Sequence, residues 1–104
     1  MSAMNDERSR LRRVLTDMLG ERRRVDKETL RAVTEAGVQA SRQPQTEIAE
    51  ALGVSPSSVT HAKTQASTRR EQLQIRILQH LTGARVKKEL RYVIDLDPSD
   101  HDGQ

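Results

Sequence analysis

The chain has 104 residues, of which 34% are apolar and 32% charged, with 18 basic and 15 acidic side chains, one aromatic residue and no cysteine. This suits one small domain with a thin core of Leu, Val, Ile and Ala. It excludes a disulfide scaffold and a cysteine-bound zinc site. No apolar run approaches the roughly 18 residues of a membrane span and no signal peptide opens the chain, so a cytoplasmic protein without membrane contact is expected.

Residues 1–7 read as a frayed terminus. From Arg8 to about Arg23, Leu11, Val14, Leu15, Met18 and Leu19 recur at the spacing of one helix face, and Gly20 offers an early end. Residues 1–25 are thus expected to form a basic amphipathic helix. Asp26 is suited to N-cap a second helix, although Thr29 stands where a capping box would place Glu. Leu30, Val33 and Ala36 or Gly37 mark its apolar side, and residues 39–44 read as a loop.

Pro44 and Thr46 open a third helix, with Ile48, Ala49 and Leu52 facing inward. Gly53 ends it, with positive φ expected. Ser55 caps a fourth helix, residues 55–66, and Pro56 suits its first turn. Val59 and Ala62 face back to the core. The other face holds Ser55, Ser57, Ser58, Thr60, His61, Lys63 and Thr64, all short or medium polar side chains. A small residue at Ala49 and a tight turn at Gly53 let two helices cross closely and hold the second one outward.

A fifth helix is predicted over residues 69–82 from Leu73, Ile77, Leu78 and Leu81. From Glu89 the period changes to two: Leu90, Tyr92, Ile94 and Leu96 alternate with polar residues until Pro98. A lone strand leaves its backbone unpaired, so this segment, within residues 84–97, is expected to pair with its copy in a homodimer. The fold class expected is mainly α: five helices, the third and fourth forming a compact central unit in residues 26–83, followed by a dimerising strand. Residues 98–104 read as an acidic disordered tail. His101 stands there among Asp97, Asp100 and Asp102, but an acidic tail explains the group better than a metal site.

The stretch 45–64 resembles the helix-turn-helix of the phage repressor and Cro type, the Xre-like family. The matching residues are Gln45, Ile48, Ala49, Leu52, Gly53, Val54, Ser55, Val59 and Thr60, and the likeness spans roughly residues 26–82. It departs at Ala62, where the family usually has a larger apolar residue, and in the long loop before Pro44. The resemblance implies duplex DNA as partner and a fourth helix that reads the major groove. By that resemblance Gln45, with Thr46 beside it, meets a phosphate or base at the start of the third helix, as do Ser55 and Pro56 at the start of the fourth. Ser57, Ser58 and His61 face base edges, and Thr60, Lys63 and Thr64 lie nearer the backbone. The following strand looks like an arrangement in antitoxin-type members.

Charge agrees with a polyanionic partner. Residues 95–104 carry four Asp and no Lys or Arg, so the remainder holds 18 basic against 11 acidic side chains, a net +7. The arginines at 8–13 and 22–24 either grip phosphates or form the solvated face of a helix that packs or dimerises through its leucines. No nucleophile–base pair, Gly-rich phosphate loop or metal-ligand spacing is present, so neither an enzyme nor a bound cofactor or metal is expected. RNA is disfavoured because aromatic residues for base stacking are missing. The function expected is a DNA-binding transcriptional regulator of repressor type acting as a homodimer. The alternative is an antitoxin-type protein that neutralises a toxin or other protein partner and autoregulates its operon.

Overall fold

The computed structural model describes residues 3–22, 24–88 and 92–96. Five helices and three short strands follow in the order α1 (Ala3–Leu19), β1 (Arg24–Val25), α2 (Lys27–Ala40), α3 (Gln45–Leu52), α4 (Pro56–Thr64), α5 (Thr68–Thr82), β2 (Arg85–Lys88) and β3 (Tyr92–Asp95). Among the described residues no helix is long and apolar enough to cross a membrane. The acidic segment 98–104 with His101, and Leu90 of the expected strand, lie outside the described residues.

Local chemistry places the helix ends. The Asp26 carboxylate accepts from the Thr29 amide at 2.8 Å, capping α2 without a capping-box Glu. The Ser55 hydroxyl accepts from the Ser58 amide at 3.2 Å with Pro56 at the first helical position. Gly53, at φ 71°, ends α3 in the left-handed region, and the Val54 amide reaches back to the Ala49 carbonyl at 3.0 Å. Helix bounds differ from the sequence reading at several points. α1 starts at Ala3 rather than Arg8 and ends at Leu19, so Arg24 and Val25 of the expected 1–25 helix stand in β1 instead. α2 continues through Gln39 and Ala40, so the loop before α3 is shorter than expected, and α4 ends at Thr64 rather than at residue 66.

The larger correction concerns the strand. β3 is not alone: it is the middle of an antiparallel three-stranded sheet in the order β1-β3-β2. Arg24 and Val25 pair with Val93 and Tyr92 on one side, while Arg85 to Lys88 pair with Asp95 to Tyr92 on the other. The backbone groups that were to be satisfied by a second copy therefore find partners within the chain, and the reason for strand-mediated dimerisation falls away. β1 and β2 escaped the sequence reading because two and four residues are too few to establish a period.

α1, α2 and α5 form a central layer with a core at each end. Towards the sheet, Leu15, Leu19, Leu30, Val33 and Leu78 pack with Val86, Ile94 and Leu96. Towards α3 and α4, Leu11, Val38, Ile77 and Leu81 pack with Ile48, Ala49, Val59 and Ala62. The leucines of α1 are thus consumed inside the chain, and of its expected stripe only Met18, 40% exposed, faces solvent.

The arginines serve a purpose that the sequence did not suggest. Arg10 Nη2 donates to Ala40 O at the end of α2 (2.6 Å), Arg76 Nη2 to Leu52 O at the end of α3 (2.6 Å) and Arg31 Nη1 to Lys63 O at the end of α4 (2.7 Å). Arg12 Nε donates to Thr82 O (2.7 Å) and Arg8 Nε to His80 O (3.3 Å) at the end of α5, and Arg22 Nε to Leu19 O (3.3 Å) at the end of α1. Every helix thus has an arginine on its C-terminal carbonyls, where the backbone lacks intrahelical donors and the helix dipole is negative. Of the arginines at 8–13, Arg8, Arg10 and Arg12 hold helices together, while Arg13 is exposed.

Candidate nucleic-acid interface

The candidate surface is built on the α3–turn–α4 unit. Its inner side is apolar and closed: Ile48, Ala49, Val59 and Ala62 are at most 1% exposed, so α4 cannot rotate without opening the core. Ala62 fits because α5 passes close beneath it, and the buried Gln74 amide there donates to Ala62 O and Gln65 O, both at 2.9 Å. Ala62 is wholly buried, so a larger residue at position 62 would press on α5.

α4 is pinned at both ends. At its start, Gln45 Nε2 donates to Pro56 O (3.0 Å) and Thr60 Oγ1 (2.6 Å). At its end, Arg31 Nη1 donates to Lys63 O and to Glu35 (3.1 Å), while Nη2 pairs with Glu28 at 2.7 Å. Hydrogen bonds donated to both carboxylates hold the Arg31 guanidinium charge still more firmly than usual, and in return the Glu28 carboxyl lies below its ordinary value.

The turn before α3 is clamped by α1 and α5. The Glu7 carboxylate accepts from the Arg42 amide at 2.6 Å and from Arg10 at 2.7 Å. Burial would raise the Glu7 carboxyl, but the Arg42 amide and the Arg10 guanidinium together bring it below its ordinary value. Gln43 Oε1 lies 2.9 Å from His80 Nε2 on α5. α3 begins at this clamped turn on Pro44, which offers no side-chain acceptor to the first amides of the helix, and the Arg42 side chain beside it is 78% exposed.

Each residue expected at the surface can now be placed. Ser57, Thr60, His61 and Thr64 fall on one stripe of α4 opposite Val59 and Ala62, with His61 half-buried and the other three exposed. Ser58 is half-buried and turned towards the cap, its Oγ 2.9 Å from Ser55 Oγ, while Ser57 Oγ lies 3.1 Å from the same atom. Ser58 therefore belongs with the cap rather than with the outward stripe, and Thr60 and Thr64 join that stripe. Thr64 Oγ1 donates to Thr60 O at 2.9 Å, so its hydroxyl proton is engaged within the helix. Gln45 is engaged as a brace, Thr46 and Pro56 are exposed, and Lys63 is half-buried at the end of the helix. Arg42 was missed by the sequence reading; its only signal there was a single basic residue in a loop beside a helix start.

Chemically, the stripe offers hydroxyl, imidazole and methyl groups at a helical rise, flanked by two helix N-termini and by Arg42. Such a surface can hydrogen-bond to flat polar edges and accept anions at its margins. No protein-family model, curated protein or solved structure matches the chain.

Proposed function

We propose that the chain is a sequence-specific DNA-binding transcriptional regulator, of repressor type, in which α3 and α4 act as a helix-turn-helix and α4 lies in the major groove. The observation that carries this reading is the division of α4. Val59 and Ala62 are wholly buried while Ser57, Thr60 and Thr64 are exposed along the opposite stripe with His61. A nine-residue helix is about 13 Å long and enters a groove about 12 Å wide. Ser57 and His61 supply base contacts, the Thr64 methyl supplies an apolar contact suited to thymine, and phosphates lie at the starts of α3 and α4, with Arg42 beside the first. The proposal extends to two copies on an inverted repeat, with an interface outside β3.

Selection of bound duplexes from random DNA, followed by titration of variants, tests it. Ser57→Ala or His61→Ala should weaken the selected site by about 1–3 kcal/mol and leave random DNA nearly unchanged. Failure to enrich any duplex, or equal losses on both DNAs, would sink the reading. The symmetry of the selected sequence decides between two copies and one.

A further inference from the structure

At the end of the molecule remote from α4, the sheet has one face on the core and one in solvent. Val25, Val86 and Ile94 are buried on the inner face, and the alternate positions Arg24, Arg85 and Lys87 are exposed. The register sets Arg24 and Lys87 on either side of Val93, and Arg85 beside Asp95. Three basic residues thus lie within about 12 Å, two strand spacings across and two residues along.

The chain carries its own complement to this face. All four Asp of residues 95–104 lie at or beyond the end of β3, with no Lys or Arg among them, while the residues before them hold a net +7. We propose that the outer face of the sheet is the docking surface for the chain's own acidic C-terminal segment, residues 97–104. Eight residues extend to about 26 Å, well over the width of the basic face. Tethering holds the segment at an effective concentration of order millimolar, ahead of any acidic peptide in free solution. Symmetric pairing of β2 with a second copy is the competing use of this end of the sheet. With the two-fold at Val86 it would set Arg85 of each copy against Lys87 of the other, and like charges facing each other across an edge strand oppose such pairing. The docked segment lowers the positive charge presented at the sheet, so that non-specific polyanions are drawn to the other end of the molecule.

The chain has no cysteine, so Gln104→Cys accepts a single nitroxide label, and paramagnetic broadening of backbone amides locates the segment. At low salt the broadening should centre on residues 24 and 85–87. It should fade at about 1 M salt, where the screening length falls to about 3 Å, and in the triple variant Asp97→Asn, Asp100→Asn, Asp102→Asn. Broadening spread evenly over the surface, centred on α4, or unchanged in the triple variant overturns the proposal. A mixture of labelled chain with isotope-enriched unlabelled chain completes the test: broadening there would assign the face to the segment of a second copy and overturn docking within one chain. The result is independent of whether α4 reads DNA.

Discussion

Gln45 Nε2 stands 2.6 Å from Thr60 Oγ1 and 3.0 Å from Pro56 O, so one amide group ties the first residue of α3 to the first two turns of α4. The bonds are exposed, and each contributes only about 1 kcal/mol net. Their effect is on angle rather than on folding. Gln45→Ala should lower stability by about 1 kcal/mol in urea denaturation and, if α4 is the reading helix, cost specific affinity out of proportion to that loss. Thr60→Val removes the acceptor and keeps the shape, and should reproduce the affinity defect. A Gln45→Ala variant with unchanged discrimination between selected and random duplexes would mean that the core alone sets the angle of α4.

Placing β3 at the centre of the sheet changes what a C-terminal truncation does. Ile94 is fully buried and Leu96 8% exposed, both in the core that α1, α2 and α5 share with the sheet. Ile94→Ala should destabilise the protein by about 2–5 kcal/mol, as measured by chemical denaturation. Removing residues 89–104 should cost more and abolish cooperative unfolding. A truncated chain that stayed folded would contradict the sheet order.

Two glycines, one inside α2 and one at the end of α3, make opposite predictions. A Cβ at Gly37 would meet Leu81 Cδ1 at 3.6 Å and Leu15 Cδ1 at 3.9 Å, ordinary contact distances. Gly37→Ala should therefore raise stability by about 0.5–1 kcal/mol through lost unfolded-state entropy. Gly53 has open space around it but φ +71°, so Gly53→Ala should lower stability by about 1–2 kcal/mol from backbone strain alone. Thermal melts of the two variants should shift in opposite directions.

The arginine on the end of α4 is testable without DNA. Arg31→Met keeps much of the stem but loses the bond to Lys63 O and leaves Glu28 and Glu35 without their shared cation. Glu28 is exposed and Glu35 partly so, and both can rehydrate, so a loss of about 1–2 kcal/mol is expected, most of it from the charge-assisted bond to the carbonyl. Amide hydrogen exchange should show the loss concentrated in the last turn of α4.

Acid should loosen the turn before α3 in two stages. Burial, and then the Arg8 charge, hold the His80 imidazole below its ordinary 6.5. The unfolded chain therefore takes up this proton first as pH falls, and stability should decline from about pH 6.5 downward until the folded His80 also titrates. Glu7, held below its ordinary 4.5, adds a second decline below that value as the unfolded carboxylate protonates before the folded one. His80→Gln should remove the upper decline and leave the lower one. Melting temperatures from pH 7 to 3 separate the two.

The five helices were legible in the sequence because their causes are local. Asp26, Ser55 with Pro56, and Gly53 act on backbone groups a few residues away, and the leucine and valine spacing reports one helix face directly. The division of α4 into a buried face at Val59 and Ala62 and a polar remainder was equally legible, since periodicity alone sorts a helix into sides. What the tertiary structure alone decided is which distant groups meet. The pairing of β3 with β1 joins residues about seventy positions apart through backbone atoms that carry no side-chain signature. Arg8, Arg10 and Arg12 look like a phosphate-binding cluster as a string of letters, yet they end on carbonyls of α2 and α5 because the packing of α1 brings those helix ends within reach. A charge can be counted from sequence, but its partner is set by the path of the whole chain.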